Sequence, residues 1–436
     1  MKTKYYIGNI IIIGIIVIPL ILWLWSAPWV NRFYSPEATL TSLGQMCGLV
    51  GMSLMALVLI LSSRLRILER FFPGMNRVYS EHHWWGGLAF ILLLAHPLLL
   101  AGKYWLFSVQ QAAWFLLPGV DRWPINFGII ALTLMIIFLF LTFFGSLAYQ
   151  TWRWTHKFMG LVLIMALIHL LTVSSDTANY LPLRMYFIIL SAVALLLYFY
   201  RSWLDRWLVP KYAYTVKQVK KYGPDIVEIL MRPDGEKMKY QAGQFAFLEF
   251  ESSTVTSEVH PFSISSAPTE NTLRIAVKNL GDYTSQMSQI KNGDKVRVEG
   301  PFGCFNRQQA KHQSQVWIAG GIGITPFLGM ARSLPTDHPS DINLIYAVKK
   351  EGEAVFYPKL ERIATAVNNF HVTTYYSDQS GHLTVEAIKK MGIDPTKKSI
   401  FICGPGLMMA SLKKQLRQAG VPADCIHTEE FELYND

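Results

Sequence analysis

Six apolar stretches crowd the first 210 residues, near 5–26, 40–62, 82–102, 126–147, 156–174 and 183–203. Each is long enough to cross a bilayer, which takes about 20 helical residues. Any one alone would read equally as a buried core helix; six in succession with short links read as a transmembrane bundle. The first has no small-residue cleavage site after it, so it reads as a span and not as a cleaved signal segment. Composition agrees: 51% of the 436 residues are hydrophobic and 16% are charged, against roughly 25% charged in an ordinary soluble chain. A disordered chain, a coiled coil and a small disulfide scaffold are excluded, and the length allows about three domains.

The net charge of +10 is unevenly spread: residues 1–210 hold 14 Lys+Arg against 6 Asp+Glu, and residues 211–436 hold 26 against 24. Basicity placed between apolar runs orients a protein in a membrane and does not build a groove for nucleic acid. One set of flanks carries Lys2, Lys4, Arg64, Arg66, Arg70, Arg77, Arg153, Lys157, Arg201 and Arg206; the other carries only Arg32, Lys103, Arg122 and Arg184. The expectation is a multi-pass protein of the cell (inner) membrane with both termini cytoplasmic. Its partners are then the lipid membrane and a cytosolic nucleotide; no protein partner is evident. The four cysteines, Cys47, Cys304, Cys403 and Cys425, form no CxxC pair, which excludes attached c-type haem, zinc ribbons and the usual iron–sulfur spacings.

After residue 210 the pattern changes to short alternating runs with turn signals. KYAYTVKQVKKYG, YQAGQFAFLEF, TLRIAVKNL and DKVRVEG read as strands of an antiparallel barrel. From QVWIAGG onward strands alternate with helices, among them INLIYAVKK and a helix near 357–368, the pattern of an α/β unit with a parallel sheet. The expected organisation is a six-helix transmembrane bundle over 1–208, an antiparallel β-barrel over 209–311 and a parallel-sheet α/β domain over 312–436.

Five histidines, His82, His83, His96, His156 and His169, lie in or at the ends of the third and fifth spans, where ionisable groups are costly and usually have a task. His82 and His96 are 14 residues apart and His156 and His169 are 13 apart, about 20 Å along a helix. Two helices that each carry two imidazoles at matching depths can clamp two stacked haems, His82 with His156 and His96 with His169, each iron taking one imidazole from each helix. Histidines that only hydrogen-bond between helices are the alternative, and His83 is an alternative ligand to His82. Thirteen residues of ideal helix leave two side chains about 140° apart, so tightening or a kink is required between His156 and His169. SEHHWWGG and RWTHKFMG align with Gly86 opposite Gly160, which suits either a porphyrin against backbone or close helix packing.

The second half carries nucleotide signals. His260-Pro261-Phe262-Ser263 offers a cation, a ring and a hydroxyl for one face of a flavin. Gly281-Asp-Tyr283-Thr284 opens a helix whose amides suit a pyrophosphate, with Lys278 nearby. Gly300-Pro-Phe-Gly303 makes a tight turn where backbone can approach a ring. Gly320-Gly321-Ile-Gly323-Ile-Thr325-Pro326 lies between a strand and a helix, the place of a dinucleotide phosphate. Lys349 and Lys350 follow the next strand, where a 2′-phosphate would sit. Cys403-Gly404-Pro405 ends a third strand, with the thiol near a nicotinamide, and Phe431 is a ring to stack on flavin. Each has a plainer reading as an ordinary strand, N-cap or solvated pair.

Taken in order, His82-x13-His96, His156-x12-His169, HPFSISSAP, LGDYT, GPFG, AGGIGITPF, CGPGLMM and the terminal EEF resemble the bacterial members of the NADPH oxidase and ferric reductase family over nearly the whole chain. The second half also looks like the ferredoxin–NADP reductase superfamily, where an arginine usually stands in place of His260. The resemblance implies two b haems, FAD, and NADPH or NADH as electron donor. It implies FAD on His260, Pro261, Phe262, Ser263, Tyr283 and Thr284, and NAD(P)H on Gly320, Gly321, Gly323, Thr325 and Pro326 with Cys403, Gly404 and Pro405 near its reactive end. Phe431 resembles the terminal aromatic that covers the flavin, although five residues follow it, so Leu433 or Tyr434 competes. The implied activity is electron transfer to an extracytoplasmic acceptor, O2 or a ferric chelate. A histidine-bearing transporter or haem carrier with a fused reductase-like domain is the competing class, and a soluble reductase merely anchored to the membrane is another.

Overall fold

A computed structural model describes residues 2–72, 74–145 and 149–430. It divides into two compact units: residues 3–72 with 77–209, and residues 210–436 together with 1–2 and 73–76.

The first unit is helical. Among the described residues six helical segments are long and apolar enough to cross a membrane. They are α1 (Lys2–Trp25), α2 (Pro36–Leu61), α3 (Met75–Trp105), α5 (Trp123–Phe143), the pair α6 (Tyr149–His156) and α7 (Met159–Thr172), and α8 (Leu181–Ser202). α2 starts where Ser35 accepts a hydrogen bond from the Ala38 amide at 3.2 Å and Pro36 occupies the first turn, a capped entry that uses proline where its missing N–H costs nothing. α3 runs 31 residues, about 46 Å, well past a hydrocarbon core of about 30 Å. It therefore begins seven residues before the expected span: the polar turns 75–81 hold no breaker and continue the helix beyond the apolar stretch.

The connection between α3 and α5 is not plain loop. α4 (Val109–Leu116) folds there, entered through Ser108, whose hydroxyl accepts from the Gln111 amide at 3.4 Å. Arg122 closes its far end by donating to the Leu117 and Trp114 carbonyls. Arg32, one of the four cations on the sparse flank, is buried. It pairs with Asp176 at 2.6 Å, donates to the Trp23 carbonyl at 2.7 Å and lies 3.9 Å over the Trp23 ring. Its charge thus ties the chain after α1 to the chain after α7.

The second unit begins with a six-stranded antiparallel sheet: β1 (Tyr212–Tyr222), β2 (Ile226–Pro233), β3 (Phe245–Glu251), β4 (Val259–Ser263), β5 (Leu273–Lys278) and β6 (Lys295–Phe302), in the order β4-β3-β6-β1-β2-β5. An isolated bridge between Ile264 and Ile275 joins the two edges, so the sheet closes as a barrel around Tyr214, Ile229, Leu248, Phe250, Ile275 and Val298. Closure removes the exposed edges that an open sheet would present. β2 lies outside the four runs that read as strands from the sequence, and β3 starts five residues inside YQAGQFAFLEF because Gln241–Gln244 form a turn.

A parallel sheet follows: β7 (Gln315–Gly320), β8 (Ile342–Val348), β9 (Phe370–Tyr376), β10 (Ser399–Cys403) and β11 (Ile426–Glu429), in the order β11-β10-β7-β8-β9. α10 (Thr325–Arg332), α11 (Tyr357–Ala366) and α12 (Gly406–Gln418) are among its crossovers, and α9 (Asp282–Gln286) is a short helix of the barrel part. Every residue of β7 and β10 is buried, as expected of parallel strands covered on both faces. The architecture is therefore six apolar helices, then an antiparallel sheet and a parallel sheet, as the sequence pattern implies.

Candidate functional site

The four span histidines meet in two pairs. The rings of His82 and His156 have centroids 6.3 Å apart, and those of His96 and His169 are also 6.3 Å apart. A metal–imidazole bond of about 2.0–2.1 Å, plus about 1.1 Å from nitrogen to ring centre, places two imidazoles on one metal about 6.3 Å apart. The gap therefore fits an ion between each pair. Among the described residues no three His, Cys, Asp or Glu side chains gather into a metal site, so each place offers two ligands from opposite sides. That donor set suits a metal whose other positions come with a macrocycle, as in haem.

The second nitrogen of each ring is also accounted for. The Nδ1 atoms of His82, His96 and His169 lie 3.0, 2.7 and 2.7 Å from the carbonyl oxygens of Val58, Gly44 and Pro124. A carbonyl only accepts, so Nδ1 carries the proton and Nε2 keeps its lone pair, the arrangement that orients a ligating histidine. His156 Nδ1 is 3.5 Å from the Thr142 hydroxyl, whose own proton goes to the Phe138 carbonyl at 2.8 Å. None of the four Nε2 atoms has a hydrogen-bond partner among the described residues. His83 is exposed and packs edge-on against His82, with centroids 5.8 Å apart; the ring that faces His156 at metal-bridging distance is His82.

The awkward 13-residue spacing is resolved by a break in the helix directly after His156. Phe158 N donates to Thr155 O at 3.0 Å and Leu161 N to Phe158 O at 2.9 Å, both three residues back. Such 3₁₀ steps advance about 120° per residue in place of 100°, which supplies part of the required turn, the remainder falling at the break between α6 and α7. Gly160 is explained by packing: a Cβ there would stand 2.3 Å from the Tyr198 ring. Gly86 has only ordinary contact with Val58.

In the barrel, β4 corrects the expectation that His260, Phe262 and Ser263 share one face. Strand alternation sets His260 and Phe262 on one side and Pro261 and Ser263 on the other. Phe262 belongs to the barrel interior. His260 stacks on Tyr283 at 3.9 Å and sits 2.8 Å from the Glu258 carboxylate. Pro261 and Ser263 instead pair across from Phe247 and Phe245, whose rings pack on Phe302 at 5.3 and 6.0 Å. This aromatic cluster, which no motif marks, is buried beside Ser263.

The GDYT turn is more self-contained than expected. The Thr284 hydroxyl accepts from the Leu280 and Gly281 amides at 2.9 Å each, so those two amides are already used. Tyr283 is buried, and its hydroxyl donates to the Glu258 carbonyl; burial, then the charges of Glu258 and Glu249, push its pKa up. Lys278 ends β5 a short way before this turn. Gly300 faces Ala246 and Met238 inside the barrel, and Gly303, with φ +92°, is pressed on Phe245. Both glycines are required by packing.

The order of the parallel strands switches sides between β7 and β10, and the crevice beyond the carboxyl ends of those strands is where such sheets bind ligands. The glycine motif lies there. A Cβ on Gly323 would stand 2.3 Å from the Cys403 carbonyl, and one on Gly320 would stand 2.7 Å from Met408, so the turn and the 403–406 segment close on each other. Gly321 has φ +54° and open space beside it, which leaves its backbone accessible. Thr325 donates to Ile322 O at 3.1 Å and Pro326 enters the first turn of α10. Lys349 and Lys350 are exposed at the end of β8, next to β7. Gly404 backs onto Gly320, and Pro405 precedes α12. Cys403 is wholly buried; burial, then the Glu429 charge, push its pKa well up, so it is a neutral thiol covered by protein. Phe431, Leu433 and Tyr434 lie outside the described residues.

The barrel and the parallel sheet are locked through Glu228 of β2. Its carboxylate is 2.8 Å from Lys359 of α11 and 3.5 Å from Arg332 of α10, and Arg332 also donates to Ser265 O at 2.6 Å. Burial raises the Glu228 pKa, but the Lys359 hydrogen bond and the nearby cations outweigh it and hold it below the usual range.

Residues 47–167 match the family of ferric reductase like transmembrane components, residues 211–320 match an FAD-binding domain, and residues 317–414 match an oxidoreductase NAD-binding domain. Flavohemoprotein A of Dictyostelium discoideum is 27% identical over 227 residues, 48% of this chain and 57% of that protein. The ferredoxin reductase component of 3-ketosteroid-9-alpha-monooxygenase from Mycolicibacterium smegmatis is 29% identical over 202 residues, 45% of this chain and 57% of that protein. The chain thus spans under two thirds of the length of these curated relatives. A solved flavohemoglobin from Malassezia yamatoensis, with bound FAD and heme, shares the fold with a TM-score of 0.52 at 16% identity, covering 90% of this chain and 98% of that one.

Proposed function

We propose, from the ferric reductase and NADPH oxidase family architecture that this chain carries, that it is a transmembrane NAD(P)H oxidoreductase with FAD and two b haems. The observation that carries the reading is the pair of 6.3 Å imidazole gaps with Nδ1 engaged and Nε2 unpartnered. When bound, flavin and haems supply the chemistry of taking a hydride from cytosolic NAD(P)H and delivering single electrons to an extracytoplasmic acceptor, O2 or a ferric chelate. The domains of this reading are the haem bundle 1–208, the FAD barrel 209–311 and the nicotinamide domain 312–436.

Each group of residues then has a role. His82 and His156 hold the cytoplasmic-side haem and His96 and His169 the outer one. With two imidazoles holding each iron, the haems would supply electron-transfer chemistry and not substrate activation. Pro261 and Ser263, backed by Phe245, Phe247 and Phe302, seat the flavin ring, with Ser263 at its reactive nitrogen. His260, Lys278, Tyr283 and Thr284 serve the phosphate end. Gly320, Gly321, Gly323, Thr325 and Pro326 cradle the dinucleotide phosphates, and Lys349 meets a 2′-phosphate. Cys403, Gly404 and Pro405 border the nicotinamide end, and a C-terminal side chain, Phe431 or in its place Leu433 or Tyr434, covers the flavin. The ten-to-four excess of cations supports a cytoplasmic nucleotide-binding half.

The test is a dithionite-reduced minus oxidised spectrum of the purified chain with haem counting, followed by NADPH. Two low-spin haems per chain that NADPH reduces are expected; a colourless chain sinks the proposal. Superoxide-dismutase-sensitive dye reduction identifies O2 as the acceptor, and fast anaerobic reduction of a ferric chelate identifies iron.

A further inference from the structure

The two imidazole pairs are built differently. His96 Nδ1 donates to the Gly44 carbonyl of α2 at 2.7 Å, and one turn on, a Cβ at Gly48 would stand 2.7 Å from the same Nδ1. His169 Nδ1 donates to the Pro124 carbonyl of α5 at 2.7 Å, and one turn on, a Cβ at Gly128 would stand 2.9 Å from that Nδ1. The same device thus occurs twice, on two unrelated helices: a carbonyl at position i takes the N–H, and glycine at i+4 lets the ring lie against bare backbone. A side chain of any size at i+4 would occupy the ring's place, because approaches under about 3 Å are not tolerated in a packed interior.

The other pair lacks it. His82 Nδ1 reaches the Val58 carbonyl at 3.0 Å, and the residue four further on is Ser62. The Nδ1 partner of His156 is the Thr142 hydroxyl at 3.5 Å, long for a hydrogen bond, and its ring stacks on Trp152 with centroids 5.7 Å apart. Both rings of the His96–His169 pair are held by short bonds and glycine seats; in the His82–His156 pair neither ring has a glycine seat, and only His82 has a hydrogen bond of ordinary length.

We propose that Gly44 with Gly48, and Pro124 with Gly128, are positioning elements that fix His96 and His169 as Nδ1–H tautomers and pre-organise that pair for its metal, while the His82–His156 pair is left adjustable. This rests on the haem reading above. The carbonyl sets the tautomer and raises the basicity of Nε2; the glycine sets the ring position to within the tolerance of a coordination bond. Gly44 and Gly51 also bring α3 close, their added Cβ atoms meeting Leu100 and Leu93, so the stripe seats the helix while Gly48 seats the ligand.

The experiment uses the full chain in detergent and counts haem. Gly48→Ala and Gly128→Ala should each reduce two haems per chain to one, with flavin reduction by NADPH intact. Gly102→Ala, whose Cβ would have ordinary contact with Leu40 at 3.5 Å, should keep both. A second arm removes the clash itself. In His96→Gly, added imidazole should restore the second haem, and 1-methylimidazole, which binds iron but has no N–H for the Gly44 carbonyl, should do so at least tenfold less well. Space filling alone predicts equal rescue by the two. Equal rescue, rescue by neither, or full haem content with unchanged midpoint potentials in both alanine variants overturns the proposal. A wild-type chain without haem fails the functional reading instead, which separates the two.

Discussion

His96 and Cys403 show how position decides what a reactive side chain can do. His96→Leu removes one of two facing ligands, so the expected outcome is loss of one haem and of transmembrane electron transfer while NADPH still reduces the flavin. Haem counting and stopped-flow flavin absorbance check this, and normal haem content would contradict the pairing. Cys403 is wholly buried and its thiol is held protonated, and only an exposed thiolate reacts readily. Maleimide labelling at pH 7.5 should leave Cys403 unmodified in the native protein and modify it fully after denaturation, as read by peptide mass spectrometry. Labelling of the native form would mean that the crevice opens. At this scale the histidines were legible from spacing, because an ionisable group in hydrocarbon stands out. The Ser263 face was not: the four consecutive strand residues His260 to Ser263 look like one motif in a sequence, but alternation divides them between two surfaces.

At the scale of elements, the break after His156 and the contact of Gly160 with Tyr198 belong together. The 3₁₀ steps turn α7 so that Gly160 faces α8, where only a hydrogen fits. Gly160→Ala should destabilise the bundle by about 1–3 kcal/mol, the usual cost of overpacking, seen as a lower midpoint in a detergent thermal melt. Combining it with Tyr198→Ala should cost less than the sum of the two single changes, since neighbours couple; strict additivity would show that the contact is not tight. The kink could be demanded from sequence, because the angle between His156 and His169 required one, but its site could not. No proline or glycine marks Lys157–Phe158, and what selects it is the ring partners across the bundle.

On the scale of the nucleotide-binding unit, Glu228 joins barrel to parallel sheet. Its folded pKa is depressed, so its contribution is present above the pKa of the unfolded carboxyl and is lost as pH falls through the lower folded value. Glu228→Gln should therefore cost about 3 kcal/mol at pH 7, as for one partner of a buried ion pair, and much less in acid below the folded pKa. Release of flavin fluorescence on heating, compared at the two pH values, measures this; an equal loss at both would show that the charge is irrelevant. No local pattern announces Glu228, since its partners Lys359 and Arg332 lie over 100 residues away.

By itself the sequence determined what depends on local composition and period. Six apolar runs must be helices in lipid because unpaired backbone is too costly there, alternation makes a barrel, and a glycine turn between strand and helix makes a nucleotide crevice. Only the tertiary structure decided which imidazole nitrogen is left for a metal, which strand face carries Ser263 and whether Cys403 is reachable. Each of these depends on an atom contributed by a distant segment, such as the carbonyls of Gly44 and Pro124, and long-range contacts leave no period in a chain.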